Sequence, residues 1–390
     1  MNFAFLSFIF LLMISCSQVS KTLDEASEKL SFFDSEQKSK TSDSKDENRE
    51  KSSSEKSVEK IEEKKEPKPY VDRKFTKVTN TKAVSNYCKK INDKFLHWGW
   101  GLSRCDSFKW HHVRDSYLGD PLIWATFGDE KKSKEKPMNV TMILCGVHGD
   151  EITPIKFCFD ILHHLYKLEP NTNEKKSFDD NLIVVAPIAN PDSFFRSRPT
   201  RTNYRGVDIN RNFPTKDWNE KALKLWKSWY RSDKRRFPGN KPLSEQETYF
   251  QVNLIKRYKP DRIISVHAPL TILDYDGPSV THSDHRHHEV ALSAKHLLVQ
   301  MSKKAQDYRI KNYPFFPGSL GNYAGNERNI PTYTLELPTS DNRNHKKYWN
   351  MFKSSIDYAM FSSNKDNKIV SFEEKIPSSS TEDKKVEQSN

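Results

Sequence analysis

An α/β domain built on a largely parallel or mixed sheet is what the order of apolar patterns predicts. Three observations carry this reading. Short runs rich in Val and Ile alternate with longer runs at helical spacing, some of the short runs are apolar from end to end, and the patterned stretch fills residues 76–365 of 390. LIVVAPI (182–188) has no polar alternation, so it reads as a strand covered on both faces.

Ahead of that domain the composition changes twice. FAFLSFIFLLMIS (3–15) is too short to span a bilayer and suits the core of a signal peptide, residues 1–15. It ends at Cys16, and MISC resembles the lipobox of bacterial lipoproteins, in which the Cys is lipidated and becomes the mature N-terminus. Met13 stands where Leu is commonest and no Lys or Arg precedes the run, so an ordinary signal peptide with an incidental Cys is the other reading. Residues 16–75 are then mostly Lys, Glu, Ser and Asp. Such a segment buries too little apolar surface to offset the entropy of ordering, which predicts a solvated tether behind a lipid anchor. Residues 366–390 read as a similar tail.

The tether is nearly neutral, with 12 Lys and Arg against 14 Asp and Glu over residues 21–68, so the net charge of +12 belongs to the folded part. A basic domain suits nucleic acid, an anionic surface or carboxylate-rich substrates. No nucleic-acid motif is present, so nucleic acid is not expected as a partner.

Within the domain, LIWATFG (122–128), VTMILCG (140–146), NLIVVAPI (181–188), RIISVH (262–267) and TYTLEL (332–337) read as strands. Residues 152–168, 243–258 and 288–308 have helical apolar spacing. Ser244 with Glu247 three later predicts a capping box at the start of the second of these. Four Cys remain after Cys16. Cys88 and Cys105 lie close together in a loop-rich stretch, which leaves a disulfide open, whereas Cys145 in a strand and Cys158 in a helix are expected as buried free thiols.

Chemistry in α/β folds gathers beyond the carboxyl ends of strands, and both His148 and His267 stand there. In CGVHGDE, His148 and Glu151 flank a tight turn. They are either polar surface groups or two ligands of one metal. His267, 116 residues after Glu151, would be the third. Two His and one Glu leave a fourth position for water, the pattern of a catalytic zinc site.

Five motifs in order remove the ambiguity: HGDE (148–151), NPDS (190–193), RTN (201–203) leading into GVDINRNFP (206–214), SVHAP (265–269) and YTLELP (333–338). Together, over about residues 120–345, they resemble the M14 zinc carboxypeptidases. Ser193 replaces the family's Gly and Ile209 its Leu. The resemblance implies a three-layer α/β/α fold with a central mixed, largely parallel twisted sheet. It implies one zinc ion held by His148, Glu151 and His267, with Asp208 fixing the His148 tautomer. Asn210 and Arg211 would grip the substrate's free carboxylate, Arg's planar fork suiting a two-pronged acceptor. Arg201 would polarise the scissile carbonyl, although Arg196, Arg198 and Arg205 crowd the same loop. Glu336 would be the general base, and a carboxylate inside an apolar strand is costly without such a task. Tyr323 in GSLGNYAGN would close over the substrate, with Tyr313 as competitor.

The implied activity is hydrolysis of an amide bond near a free C-terminal carboxylate. The HGDE start and the GSLGNYAG region resemble the bacterial murein-peptide branch, so peptidoglycan stem peptides are the expected substrate of an exported, membrane-anchored, periplasmic enzyme. A peptide-scavenging carboxypeptidase would share the site. A deacylase of the aspartoacylase type would lack the full GVDINRNFP run, and a non-catalytic wall-binding lipoprotein would be expected to have lost a ligand or Glu336. The cluster THSDHRHHE (281–289) has no regular ligand spacing and reads as solvated.

Overall fold

Seven strands among the described residues form one mixed sheet: β1 (His111–Asp115), β2 (Pro121–Phe127), β3 (Asn139–Cys145), β4 (Asn181–Ala186), β5 (Arg262–His267), β6 (Ile272–Asp276) and β7 (Thr332–Glu336). The computed structural model describes residues 70–171, 177–278 and 285–362. The sheet order is β1-β2-β4-β3-β5-β7-β6. β4, β3, β5 and β7 run parallel at its centre, with antiparallel strands at both edges.

Alternation along the central strands feeds two cores. Ile143, Cys145, Ile183, Val185, Ile264 and Val266 point to one face. There they meet α1 (Lys82–His97), α2 (Ile152–Leu168), α4 (His285–Lys304) and α5 (His345–Phe361). Met142, Leu144, Val184 and Ile263 point to the other face, against Phe250, Leu254 and Ile255 of α3 (Gln246–Tyr258). The α/β class and the three layers are as expected.

The outer elements add to the sequence reading. β1 and β6 are edge strands with polar alternation, and α1 and α5 pack the flanks. α1 buries Val84, Tyr87, Cys88, Ile91 and Phe95 at helical spacing, and Thr81 caps it by accepting from the Val84 N–H at 3.3 Å.

Three expectations are corrected. Residues 70–75 do not continue the tether: Phe75 stacks on Tyr166 at 4.8 Å, and Arg73 pairs with Glu169. The capping box does not form, because Asn212 takes Ser244 and Asn203 takes Glu247. Cys145 and Cys158 are not free thiols; they are bridged, since the end of β3 and the second turn of α2 face each other across the loop between them. Cys88 and Cys105 are bridged as well, tying α1 to the turn after it. Residues 1–69, with the signal peptide and Cys16, lie outside the described residues, as do the tail 366–390 and the side chains of His282 to His288.

Candidate active site

β3 ends at Cys145, and the chain must turn sharply to start α2 at Ile152. Gly146 makes the turn at φ +62°, where a Cβ would also press on Ile155 and on the backbone of Ile188. At Gly149 a Cβ would fall 2.6 Å from the Phe194 nitrogen, so the loop lies directly on the short NPDSF helix. That close approach holds His148 and Glu151 in place.

His267 is the last residue of β5, and its neighbour across the parallel register is Glu336 on β7. Sheet pairing therefore puts ligand and base candidates side by side. His148, Glu151 and His267 are all buried, and each offers one ligand atom, all within 4.8 Å of one another. His148 Nδ1 is 2.7 Å from one Glu151 carboxylate oxygen, and His267 Nδ1 is 2.9 Å from the other.

The opposite ring nitrogens are engaged from behind. His148 Nε2 lies 3.1 Å from Asp208 Oδ1, and His267 Nε2 lies 2.9 Å from Ser265 Oγ. With Nε2–H donating to Asp208, Nδ1 of His148 presents its lone pair inward, as a metal ligand must. Burial works against the Asp208 charge, yet Arg201 and then His148 hold its carboxyl well below the usual range. Burial likewise opposes the Glu151 charge, and the two imidazoles more than offset it, drawing its carboxyl down. A buried set of two imidazole nitrogens and one carboxylate, each oriented by a second contact, fits a zinc ion.

Arg201 Nε donates to Asp208 Oδ2 at 2.9 Å, and its Nη1 lies 3.2 Å from His148 Nδ1 and 3.4 Å from Glu151 Oε1. Its guanidinium thus borders the candidate metal position. Of the other arginines in that loop, Arg196 lies over the Tyr204 ring, and Arg205 is 3.9 Å from Glu245. Asn203 anchors the loop: its Oδ1 accepts from the Arg205 and Val207 N–H groups, and its Nδ2 donates to Glu245 and Glu247.

Burial pushes Glu247 up to about 7 from 4.5. Between those pH values the unfolded chain has lost this proton while the fold retains it, so stability falls as pH rises through the window. Glu247→Gln should remove that slope, on the order of 3 kcal/mol. Thermal unfolding of both proteins from pH 4.5 to 7.5 checks it, and parallel curves would contradict it.

A cleft of about 640 Å³ joins the triad to Arg201, Asn210, Arg211, Tyr313 and Glu336. Glu336 is half-buried and accepts from the Leu270 N–H at 3.3 Å. Burial raises its carboxyl; His267 draws it down, while the Glu151 charge adds to the rise. Asn210 Oδ1 accepts from the Leu320 N–H at 2.8 Å. Arg211 is 9% exposed, sits 4.7 Å over the Phe316 ring and forms no ion pair among the described residues.

Tyr323 is where the structure departs from the sequence reading. Its side chain is 1% exposed, packed on Phe213 with Arg328 over its ring, on the core side of its turn. Tyr313, half-buried, lines the cleft instead. The cleft also takes in residues to which the sequence assigns no role, among them Asp274 and Asp276 from β6 and Arg235 and Arg236 from the loop before α3. The alternation in ILDYD was the available signal for the first two.

Comparison with known proteins agrees with this geometry. The zinc carboxypeptidase family profile matches residues 103–363. Murein peptide amidase A of Escherichia coli (strain K12) is 30% identical over 239 residues, 60% of this chain and 84% of that protein. Its counterpart in Vibrio campbellii is 32% identical over 225 residues, 57% and 77% of the two chains. The carboxypeptidase A structure from Helicoverpa armigera, 18% identical with a TM-score of 0.51, covers 73% of each chain and shares the fold. The chain belongs to the zinc carboxypeptidase family and is a hydrolase.

Proposed function

We propose that this protein is a zinc-dependent amidase that cleaves peptidoglycan stem peptides next to a residue bearing a free carboxylate. The observation that carries the reading is the meeting of three elements in one cleft: the His148–Glu151–His267 set, Glu336, and the buried Arg211 beside Asn210. The relatives named murein peptide amidase A favour the wall peptide over peptides in general. The basic charge suits an anionic wall. The apolar run before Cys16 supports an exported, lipid-anchored placement, with the membrane as second partner.

His148, Glu151 and His267 would hold the zinc, which when bound supplies a Lewis acid that acidifies water and polarises a carbonyl. Glu336 takes a proton from the water that attacks the scissile carbonyl carbon. As the C–N bond breaks, it returns that proton to the leaving nitrogen. Its upward shift brings it closer to the pH at which such a shuttle is effective. Arg201 donates to the oxyanion, and Asp208 keeps its guanidinium oriented. Arg211 and the Asn210 amide hold the terminal carboxylate, so the amide one residue inward is presented to the reacting groups.

Digestion of defined muropeptides followed by mass analysis of the released piece tests the reading. Release of a carboxy-terminal residue or end piece from the stem is expected. Cleavage of ordinary peptides with intact muropeptides would indicate a scavenging carboxypeptidase. Arg211→Ala should lower kcat/KM roughly 100-fold or more on substrates with a free terminal carboxylate. An equal loss on C-terminally amidated substrates would contradict that role.

A further inference from the structure

Half of the chain's net charge of +12 sits in one segment that the chemistry above does not use. Between Lys216 and Lys241 there are nine Lys and Arg against three Asp and Glu. Trp218–Ala222 and Leu223–Ser228 form consecutive helical stretches. The chain then bends back through Arg231 and Ser232, whose φ values are +50° and +57°. Asp233 holds the returning limb: its carboxylate accepts from the Arg235 N–H at 2.9 Å, and its carbonyl accepts from Trp226 Nε1 at 2.8 Å. The result is a braced turn beside the cleft. Arg235 and Arg236 are among the cleft's lining residues, and Tyr230 lies 6.4 Å from the ring of Phe316, another of them.

The aromatic residues of this turn divide by role. Trp218 is buried, and the half-buried Trp226 packs 4.8 Å from Phe237. Trp229 is 76% exposed and has no ring contact or side-chain hydrogen bond among the described residues. Lys221, Lys224, Lys227, Arg231, Lys234 and Lys241 are exposed as well, and none forms an ion pair among the described residues. By contrast, Arg235 pairs with Asp150 at 2.9 Å and Arg236 with Asp233 at 3.5 Å. Cations without a counter-charge raise one another's energy until an anion is brought to them. The indole adds an apolar contact that a simple ion does not use.

We infer that this turn is a docking surface for an anionic lipid bilayer. An indole, with an apolar body and one N–H donor, settles at the level of lipid headgroups, and Lys or Arg nearby is drawn to the negative surface. The long lysine stems let the ammonium groups reach phosphate while the backbone stays above it. An anionic wall polymer would match the charge, but a linear chain is gripped along a groove. Residues 227–236 instead stand exposed, apart from the half-buried Tyr230. The attachment belongs to the folded domain, so it needs neither a lipid on Cys16 nor the proposed reaction. Because Arg235 and Arg236 belong to both turn and cleft, docking holds the cleft beside the bilayer.

The test uses the zinc-loaded chain from Pro67 onward, the compact unit that contains the whole sheet and both cores and lacks Cys16. Circular dichroism and thermal unfolding confirm the fold of each variant. Cosedimentation is measured with vesicles of phosphatidylcholine alone and with vesicles holding about 30% phosphatidylglycerol, and the anionic vesicles should bind at least about 100-fold more tightly. That preference should shrink as salt rises. Lys221→Gln, Lys224→Gln and Lys227→Gln combined should weaken anionic binding roughly 10- to 100-fold. Trp229→Ala should weaken it about 10-fold and remove the blue shift in tryptophan emission that the vesicles cause. Equal partitioning onto both kinds of vesicle, or anionic binding unchanged in either variant, would overturn the inference. Binding to purified sacculi with none to vesicles would also overturn it, and would give the turn to a wall polymer.

Discussion

Glu336→Gln is expected to abolish turnover almost completely while leaving the metal in place. Glutamine keeps the size of the side chain and an oxygen to accept from the Leu270 N–H, so the end of β7 and its pairing with His267 should persist. What it loses is the capacity to take a proton from water and hand it to the leaving nitrogen. General acid–base catalysis is worth roughly 10²- to 10⁴-fold, and one group serving both steps belongs at the upper end. Turnover of a defined stem peptide, measured beside zinc content, checks the claim. Full zinc with activity within tenfold of the parent would show that the proton passes through another group.

His148→Ala should act differently, by emptying the site. Removal of this imidazole takes away one of three metal donors. It also leaves Glu151 Oε1 without its 2.7 Å neighbour and Asp208 with Arg201 as its main counter-charge. Even contacts behind a metal ligand change affinity by 10- to 100-fold, so loss of a ligand should weaken zinc by at least about 100-fold. Competition against a chelator measures this directly, and activity should vanish with the metal. The pair of variants forms a diagnostic contrast, since one protein keeps zinc without turnover and the other keeps neither. Zinc binding of parental strength in His148→Ala would remove the residue from the ligand set.

Much of this arrangement was legible in the sequence because the motifs are local. HGDE is fixed by two glycines at a strand end, and GVDINRNF delivers Asp208, Asn210 and Arg211 within four residues. The central strands were legible because residues buried on both faces leave continuous apolar runs. The edges were not. β1 (HHVRD) is half-polar, and β6 (ILDYD) carries two acids that resemble loop residues until their period of two is noticed. α1 had the required spacing at 84, 87, 88, 91 and 95, diluted by nine polar or charged residues among its sixteen.

Tyr323 shows a different limit. Two tyrosines ten residues apart flank one turn, and which of them faces the cleft depends on a π-helical segment at Gly321–Asn326. That segment turns Tyr323 toward Phe213 and leaves Tyr313 at the opening. Cys145 and Cys158 belong to the same class. Each is buried in its own element, as local patterning implies, but the packing of β3 against α2 that brings them together is a tertiary fact.

Anomalous scattering at the zinc edge from crystals of the zinc-loaded protein is the most direct test of the site. One peak is predicted, about 2.0–2.2 Å from Nδ1 of His148, Nδ1 of His267 and the Glu151 carboxylate. A folded crystal with no peak there, or with zinc held only by other residues, would contradict it.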